Sequence, residues 1–501
     1  MLLRIRTVFA LFLIFFLISG CTYRIVVQYP DRDKYHIQKE LTKLLEDPNL
    51  QFAHSGVYVE DLETGEVLFS YNPRKLLIPA SNMKLFTSAT ALVKLGKDFR
   101  FGTEIYSHDS LQNGVLQGDL IIRGKGDPTI AGRFYRDSIL AVFKSWADSL
   151  KQLGIHRVAG DLVGDVSYFR GPPLRYGWEW DDEPFYYAPQ IDALSFNENC
   201  VDITIQGGKE AGDSVIVTLN PPTNYVHIVN TAHTVSQDSL SRLRVFRERG
   251  RNVIYVQGTI KQGKTTEESI TVEQPSLYFL TVLKTVLESQ GIKLDGSLRV
   301  VKNNVLQQNP RVRLLFRHYS PPLKDIVKAL NKKSNNFYAE QILSTLGAEI
   351  LKEGSAEKGR EVVSGWLTSL GVAGNEFIMA DGSGLARKNM VAPIATATVL
   401  RYMYHHKNIF TDYLASLPIA GVDGTIKRQL KGTPAEGRIF AKTGTVTRAR
   451  ALSGYAQTLS GRMLLFVTMF NNYPVSTSYI KRIQDSICLL LVNWNPAKDR
   501  L

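Results

Sequence analysis

The sequence predicts an α+β protein: one domain with helices and strands at both ends of the chain, interrupted by a large β-rich insertion. Three observations carry this. Helical spacing follows Ser81, with Leu85, Ala89, Leu92 and Val93 at intervals of three and four, and returns after Ser320 with Leu323, Ile326, Val327 and Leu330. Strand-like runs flank these helices, "SGVYVEDLETGEVLFSYNP" near the start and "GRIFAKTG", "ALSGYAQTL" and "RMLLFVTMF" near the end. Between them lie short apolar runs such as "GDLIIRG", "VDITIQG" and "NVIYVQGTI", punctuated by Gly, Asn and Asp, which predicts mostly β-structure.

Taken in order, the chain opens on "MLLRIRTVFALFLIFFLISGC", with Arg4 and Arg6 before an apolar run at residues 8–18. That run is about half of the ~20 residues a bilayer span needs, so residues 1–20 read as a signal peptide. The ending "ISGC" resembles the lipobox of bacterial lipoproteins, which makes Cys21 the expected lipid attachment site and membrane anchor. Residues 21–35 form a tether that runs into an amphipathic helix ending near Pro48. In the hairpin that follows, Val57 and Val59 share a face and the turn centres on Thr64 and Gly65. Residues 36–100 and 313–501 are expected to form the interrupted domain, and residues 101–312 the insertion. The last segment, "YIKRIQDSICLLLVNW", reads as an amphipathic helix.

Composition excludes several classes. With 44% hydrophobic and 21% charged residues in 501, the chain is neither disordered nor a polytopic membrane protein. A net charge of +13 favours anionic lipid or acidic wall polymers, but no dense basic block with interleaved aromatics points to nucleic acid. Once Cys21 is lipidated, only Cys200 and Cys488 remain, as one disulfide or two buried thiols. No cysteine pattern suits zinc, and the adjacent His405 and His406 lack an HExxH context, so neither metal nor cofactor is expected.

The chemistry centres on "PASNMKLFTSA". Ser81 and Lys84 stand three apart at a helix start and share a face, so the amine can reach the hydroxyl. A lysine shielded from water gives up its proton more readily and can then take the serine proton. The spacing alone is weak, because Ser355 with Lys358 and Ser478 with Lys481 repeat it. Only Ser81 lies between an apolar "LLIPA" and an apolar helix. Companions follow in order: Ser334 and Asn336 in "KKSNNFYAEQ", then Lys442, Thr443, Gly444 and Thr445 in "FAKTGTV". Rival SxN pairs at Ser70 with Asn72 and Ser195 with Asn197 lie before the SxxK and inside the β-rich middle. "KTG" occurs once, beside a plausible sheet edge that could pair with an extended peptide, and Gly444 removes a side chain where substrate must approach the backbone.

SxxK, SxN and KTG in this order, with "GDLIIRGKGDPTI", "YYAPQIDALSFNEN" and "MADGSGLARKN", resemble the D-alanyl-D-alanine carboxypeptidase/endopeptidase family of low-molecular-mass penicillin-binding proteins. The gap of about 250 residues between Ser81 and Ser334 is longer than a compact β-lactamase needs. The resemblance implies an antiparallel sheet flanked by helices, as in penicillin-binding proteins and serine β-lactamases. It implies Ser81 as the acylated nucleophile, Lys84 as its base and Ser334 as a proton relay, with Asn336 touching both substrate and Lys84. Lys442 would shape the field, Thr443 would bind the terminal carboxylate, and the N–H groups of Ser81 and Thr445 would form the oxyanion hole. The implied substrates are peptidoglycan peptides, with β-lactams as inhibitors, in a bacterial periplasm. Ala386 stands where the family would place a small polar residue. Trp178, Trp180, Tyr186 and Tyr187 could shape access to substrate, although most of these rings are expected in the core. A β-lactamase or esterase of the same fold, and a non-catalytic peptidoglycan-binding lipoprotein, remain the alternatives.

Overall fold

Alternation of side chains builds the central layer. Along the strand His54–Asp61, Val57 and Val59 enter one apolar cluster while Tyr58 enters another, as a period of two requires of a strand covered on both faces. The computed structural model describes residues 32–495 except 109, 137 and 309–311. His54–Asp61 pairs antiparallel with Val67–Tyr71 and with Met463–Asn471. The sheet continues through Ala449–Gln457 to Ile439–Val446 at its edge. Helices Arg32–Leu45 and Thr477–Asn493 cover one face through Ile37, Leu41, Ile480, Ile487 and Leu491. The other face carries Met83–Lys94, Leu323–Lys333, Asn336–Leu351 and Pro393–His405.

The helical stretch expected after Ser320 is broken in two at Ser334, whose backbone is left-handed with φ 57°. Asn335 then caps the next helix by accepting a hydrogen bond from the Tyr338 N–H at 2.9 Å. The two serines that matter chemically therefore both stand at helix boundaries.

Within the insertion at residues 101–312, expected to be mostly β-structure, helices join the strands. Helices Ala141–Gln152 and Pro275–Ser289 pack Phe143, Trp146, Leu150, Phe279 and Leu283 into its core. Strands Leu120–Arg123 and Leu162–Asp165 are parallel, and the connection between them runs through the first of these helices, as a parallel pair requires. The second helix is rich in Val, Thr and aromatic residues, which locally favour strand; its burial at spacings of three and four decides for helix. The expected boundary at residue 313 falls within a strand pairing, because Arg313–Tyr319 lies antiparallel to Gly102–Ser107.

One expectation is corrected: Trp180 and Tyr186 do not join the core but are 71% and 62% exposed. Of the two alternatives open for Cys200 and Cys488, the structure has two separate buried thiols. The leader, Cys21 and the start of the tether lie outside the described residues. No described helix is long and apolar enough to cross a membrane.

Candidate active site

Ser81 sits in a short 3-10 turn, Ala80–Asn82, that feeds helix Met83–Lys94. Its neighbour Lys84 is completely buried. The Lys84 Nζ lies 2.9 Å from Ser81 Oγ, 2.6 Å from Asn336 Oδ1 and 2.6 Å from the Ser383 carbonyl oxygen. The last two partners are carbonyls that only accept. A neutral amine uses its two N–H groups on them, and its lone pair is left for the serine proton. Burial pulls the Lys84 ammonium down to about 7, against the opposing pull of Asp381 and Glu340.

Lys442, also fully buried, donates to Ser334 Oγ at 2.8 Å and to the Thr443 carbonyl at 2.8 Å. Burial first, and the charge of Lys84 second, hold its ammonium well below the usual lysine range. Ser81, Lys84, Ser334, Asn336 and Lys442, drawn from three separated segments, thus form two hydrogen-bonded groups, Lys84 with Ser81 and Asn336, and Lys442 with Ser334, with Asn82 Nδ2 donating to the Lys442 carbonyl. The rival Ser195 is built into the insertion instead: its Oγ accepts from Asn199 and Gln341 and donates to the Asp192 carbonyl.

The KTG strand plays two parts. Near Ile439–Ala441 its outer edge is covered, with Ala420 N–H donating to the Ile439 carbonyl and Ala441 N–H to that of Pro418. Farther on, Thr445 and Val446 line an open cleft of about 1250 Å³ that also contains Ser81, Ser334 and Asn336. An extended peptide can pair along such an edge. Thr443 Oγ1 lies 2.8 Å from Thr425 Oγ1, and Thr445 Oγ1 accepts from Arg450 at 3.2 Å. Gly444 also meets a packing requirement of the chain itself. A Cβ there would lie 2.4 Å from the Pro79 carbonyl oxygen and 3.1 Å from the Ser81 nitrogen, so the missing side chain lets the strand pass the turn that holds Ser81.

Behind Lys84 lies a charged group that spacing did not flag. Buried Glu340 accepts from the Ser383 N–H at 2.7 Å and from Arg175 Nε at 3.1 Å. Burial first, and Asp381 second, push its carboxyl up to about 7 against the pull of Arg175. Asp381 gathers the "DGSGLARKN" loop, accepting from the N–H groups of Gly384 and Ala386, from Asn389 Nδ2, and from Trp178 Nε1 of the insertion. Ala386 is fully buried and contributes its backbone. The available signal was Glu340 standing four residues after Asn336, which places both on one face of the helix.

The insertion forms the far wall of the cleft with Arg133, Asp182, Tyr186, Tyr187 and Glu198. The exposed Tyr186 meets Tyr187 edge to face, with ring centroids 5.6 Å apart, and Tyr187 donates its hydroxyl to Asp182. Of the four rings, Tyr186 and Tyr187 border the cleft.

The chain is 32% identical over 471 residues to a D-alanyl-D-alanine carboxypeptidase of Actinomadura sp. (strain R39), covering 91% of this chain and 85% of that one. The fold is similar to the crystal structure of penicillin binding protein 4 from Haemophilus influenzae, with TM-score 0.77, 28% identity, and 90% of this chain and 98% of that one covered. The same H. influenzae protein complexed with a β-lactam gives TM-score 0.72 at 26% identity and the same coverage. Residues 37–494 match the D-Ala-D-Ala carboxypeptidase 3 (S13) family, and the chain belongs to that family of serine DD-peptidases.

Proposed function

We propose that Ser81 attacks the peptide bond between two D-alanines in peptidoglycan stem peptides, or the corresponding bond of a cross-link, and that the acyl-enzyme is then hydrolysed. The observation that carries this reading is the 2.9 Å approach of a buried lysine amine to Ser81 Oγ, with its other two partners limited to acceptors. Neutral Lys84 takes the hydroxyl proton as Oγ bonds to the carbonyl carbon. The N–H groups of Ser81 and Thr445 receive the oxyanion, where fixed donors count most because they need no reorganisation. Ser334, hydrogen-bonded to Lys442, relays the proton taken up by Lys84 to the leaving D-alanine amine as the peptide bond breaks, which returns Lys84 to the neutral amine, and Thr443 holds the terminal carboxylate. Water then attacks the ester with Lys84 again as base, releasing Ser81.

A β-lactam enters by the same attack and remains on Ser81; the β-lactam complex of the H. influenzae neighbour supports this. The finer assignments in this reading are the division into a catalytic unit and an inserted unit, lipidation of Cys21, and residence on a membrane of the bacterial envelope. The lipobox-like "ISGC" supports the anchor, and the +13 charge suits an anionic wall.

Incubation with a labelled penicillin followed by peptide mass mapping tests the chemistry. The expected result is one adduct, on Ser81, that is absent in Ser81→Ala; an adduct that persists in that variant would overturn the reading. Digestion of purified peptidoglycan then separates the two products, released D-alanine and lost cross-linked dimers.

A further inference from the structure

Three consecutive residues of the insertion, Asn197, Glu198 and Asn199, have φ values of 48°, 56° and 59°. Asn visits the left-handed region readily, but Glu does not, and a run of three is rarer still. Such strain persists only where the surroundings impose it, and it concentrates at functional sites. Here the surroundings are explicit. Asn197 Nδ2 donates to the Cys200 carbonyl at 3.2 Å and to Asp202 at 3.0 Å. Asn199 Nδ2 donates to the Gln190 carbonyl at 2.7 Å and to Ser195 Oγ at 3.1 Å.

The flanking asparagines are spent on holding the turn, and Glu198 is the residue it presents. One carboxylate oxygen accepts from Arg133 Nε and Nη2 at 3.1 and 2.9 Å. The other accepts from Asn335 Nδ2 at 2.7 Å. Asn335 stands between Ser334 and Asn336, and its own Oδ1 caps the following helix at Tyr338 N–H. Its amide is therefore fixed at both ends. On the other side, Asn336 Nδ2 donates to the Tyr187 carbonyl at 2.8 Å. The insertion thus grips the Ser334–Asn336 corner from two directions, and Ser334 itself is held left-handed at φ 57°.

We propose that Glu198 is a positioning residue, which acts through Asn335 to hold Ser334 in reach of Lys442 and Asn336 in reach of Lys84. This rests on the reading of those four residues as the acylation machinery. Arg133 neutralises the Glu198 carboxylate and orients it, so that one oxygen remains for Asn335. The insertion then contributes to the chemical step as well as to the wall of the cleft. A displacement of about 1 Å in a catalytic group can cost on the order of 100-fold in rate, which makes such a clamp kinetically visible.

The test uses the full chain, a fluorescent penicillin and a small D-alanyl-D-alanine peptide. Acylation rates are expressed per titratable site, peptide hydrolysis is resolved into kcat and KM, and Tm is recorded. Glu198→Ala is expected to slow acylation per site roughly 10- to 100-fold and to lower kcat with little change in KM. Glu198→Gln, which keeps an acceptor for Asn335, is expected to recover most of that loss. Should Glu198→Ala fail to fold, Arg133→Met loosens the same carboxylate, and several-fold slower acylation is expected. Wild-type rates per site in the folded variants, with only a lower Tm or fewer titratable sites, would overturn the proposal and leave a purely structural link. Failure of the wild-type chain to acylate would overturn the reading of the site itself.

Discussion

Ser81 with Lys84 and Ser355 with Lys358 have the same spacing, and both pairs stand at helix starts. At the first pair, Lys84 is fully buried and reaches back to Ser81 Oγ. At the second, Ser355 Oγ is a cap that accepts from the backbone N–H of Lys358, whose own ammonium points outward to Glu361 at 2.7 Å. The third pair resembles the second: Lys481 meets Asp485 on its own helix, and Ser478 shares a hydrogen bond with Ser476. Spacing makes a serine and a lysine neighbours, while burial makes the lysine a base, because removing water penalises the ammonium and not the amine.

The sharpest way to break this comparison is to remove each lysine. Lys84→Met is expected to slow acylation by labelled penicillin roughly 1000-fold or more, within the range of lost general-base catalysis combined with lost positioning. Lys358→Met, at the solvated pair, should leave the rate unchanged. Equal losses at both would mean that spacing rather than burial confers the chemistry.

A smaller effect concerns pH. Attack requires the unprotonated Lys84 amine, so with that group at about 7 the acylation rate should rise with pH below neutrality and level off above it. Glu340 ionises over the same range and, once charged, stabilises the Lys84 ammonium. Removing that charge in Glu340→Gln should move the rising limb to lower pH by up to about one unit and steepen it. A shift to higher pH, read from rates measured between pH 5 and 9, would reverse the assigned sign.

The smallest effect belongs to the bland pair. Ser355→Ala removes a helix cap and should cost about 1 kcal/mol of stability in denaturant unfolding, with acylation unaffected. A drop in acylation without a drop in stability would give Ser355 a role that its capping geometry does not contain.

Much of the framework was legible in the sequence because it is local. Val57 and Val59 alternate, Leu85, Ala89 and Leu92 recur at helical spacing, and the three closing strands are separated by short polar turns. The insertion was less legible. Pro275–Ser289 carries strand-favouring residues, and its helical state follows from burying Tyr278, Phe279, Leu283 and Leu287 on one side. The exposure of Trp180 and Tyr186 was likewise unreadable, since an aromatic side chain packs equally well in a core or along a cleft.

Residue types, their order and much of the local geometry followed from the sequence: an SxxK at a helix mouth, an SxN in a helical stretch, a KTG on a strand. The apolar flanks already favoured Ser81 among three SxxK pairs; tertiary structure buried its lysine and brought Ser334 and Lys442 near it across some hundreds of residues. It also supplied the Ser383 carbonyl, Glu340 with Arg175, and Glu198 with Asn335. The physical reason is that hydrogen-bond reach and desolvation depend on what packs around a group. In this chain the packing partners come from distant segments that no local window contains.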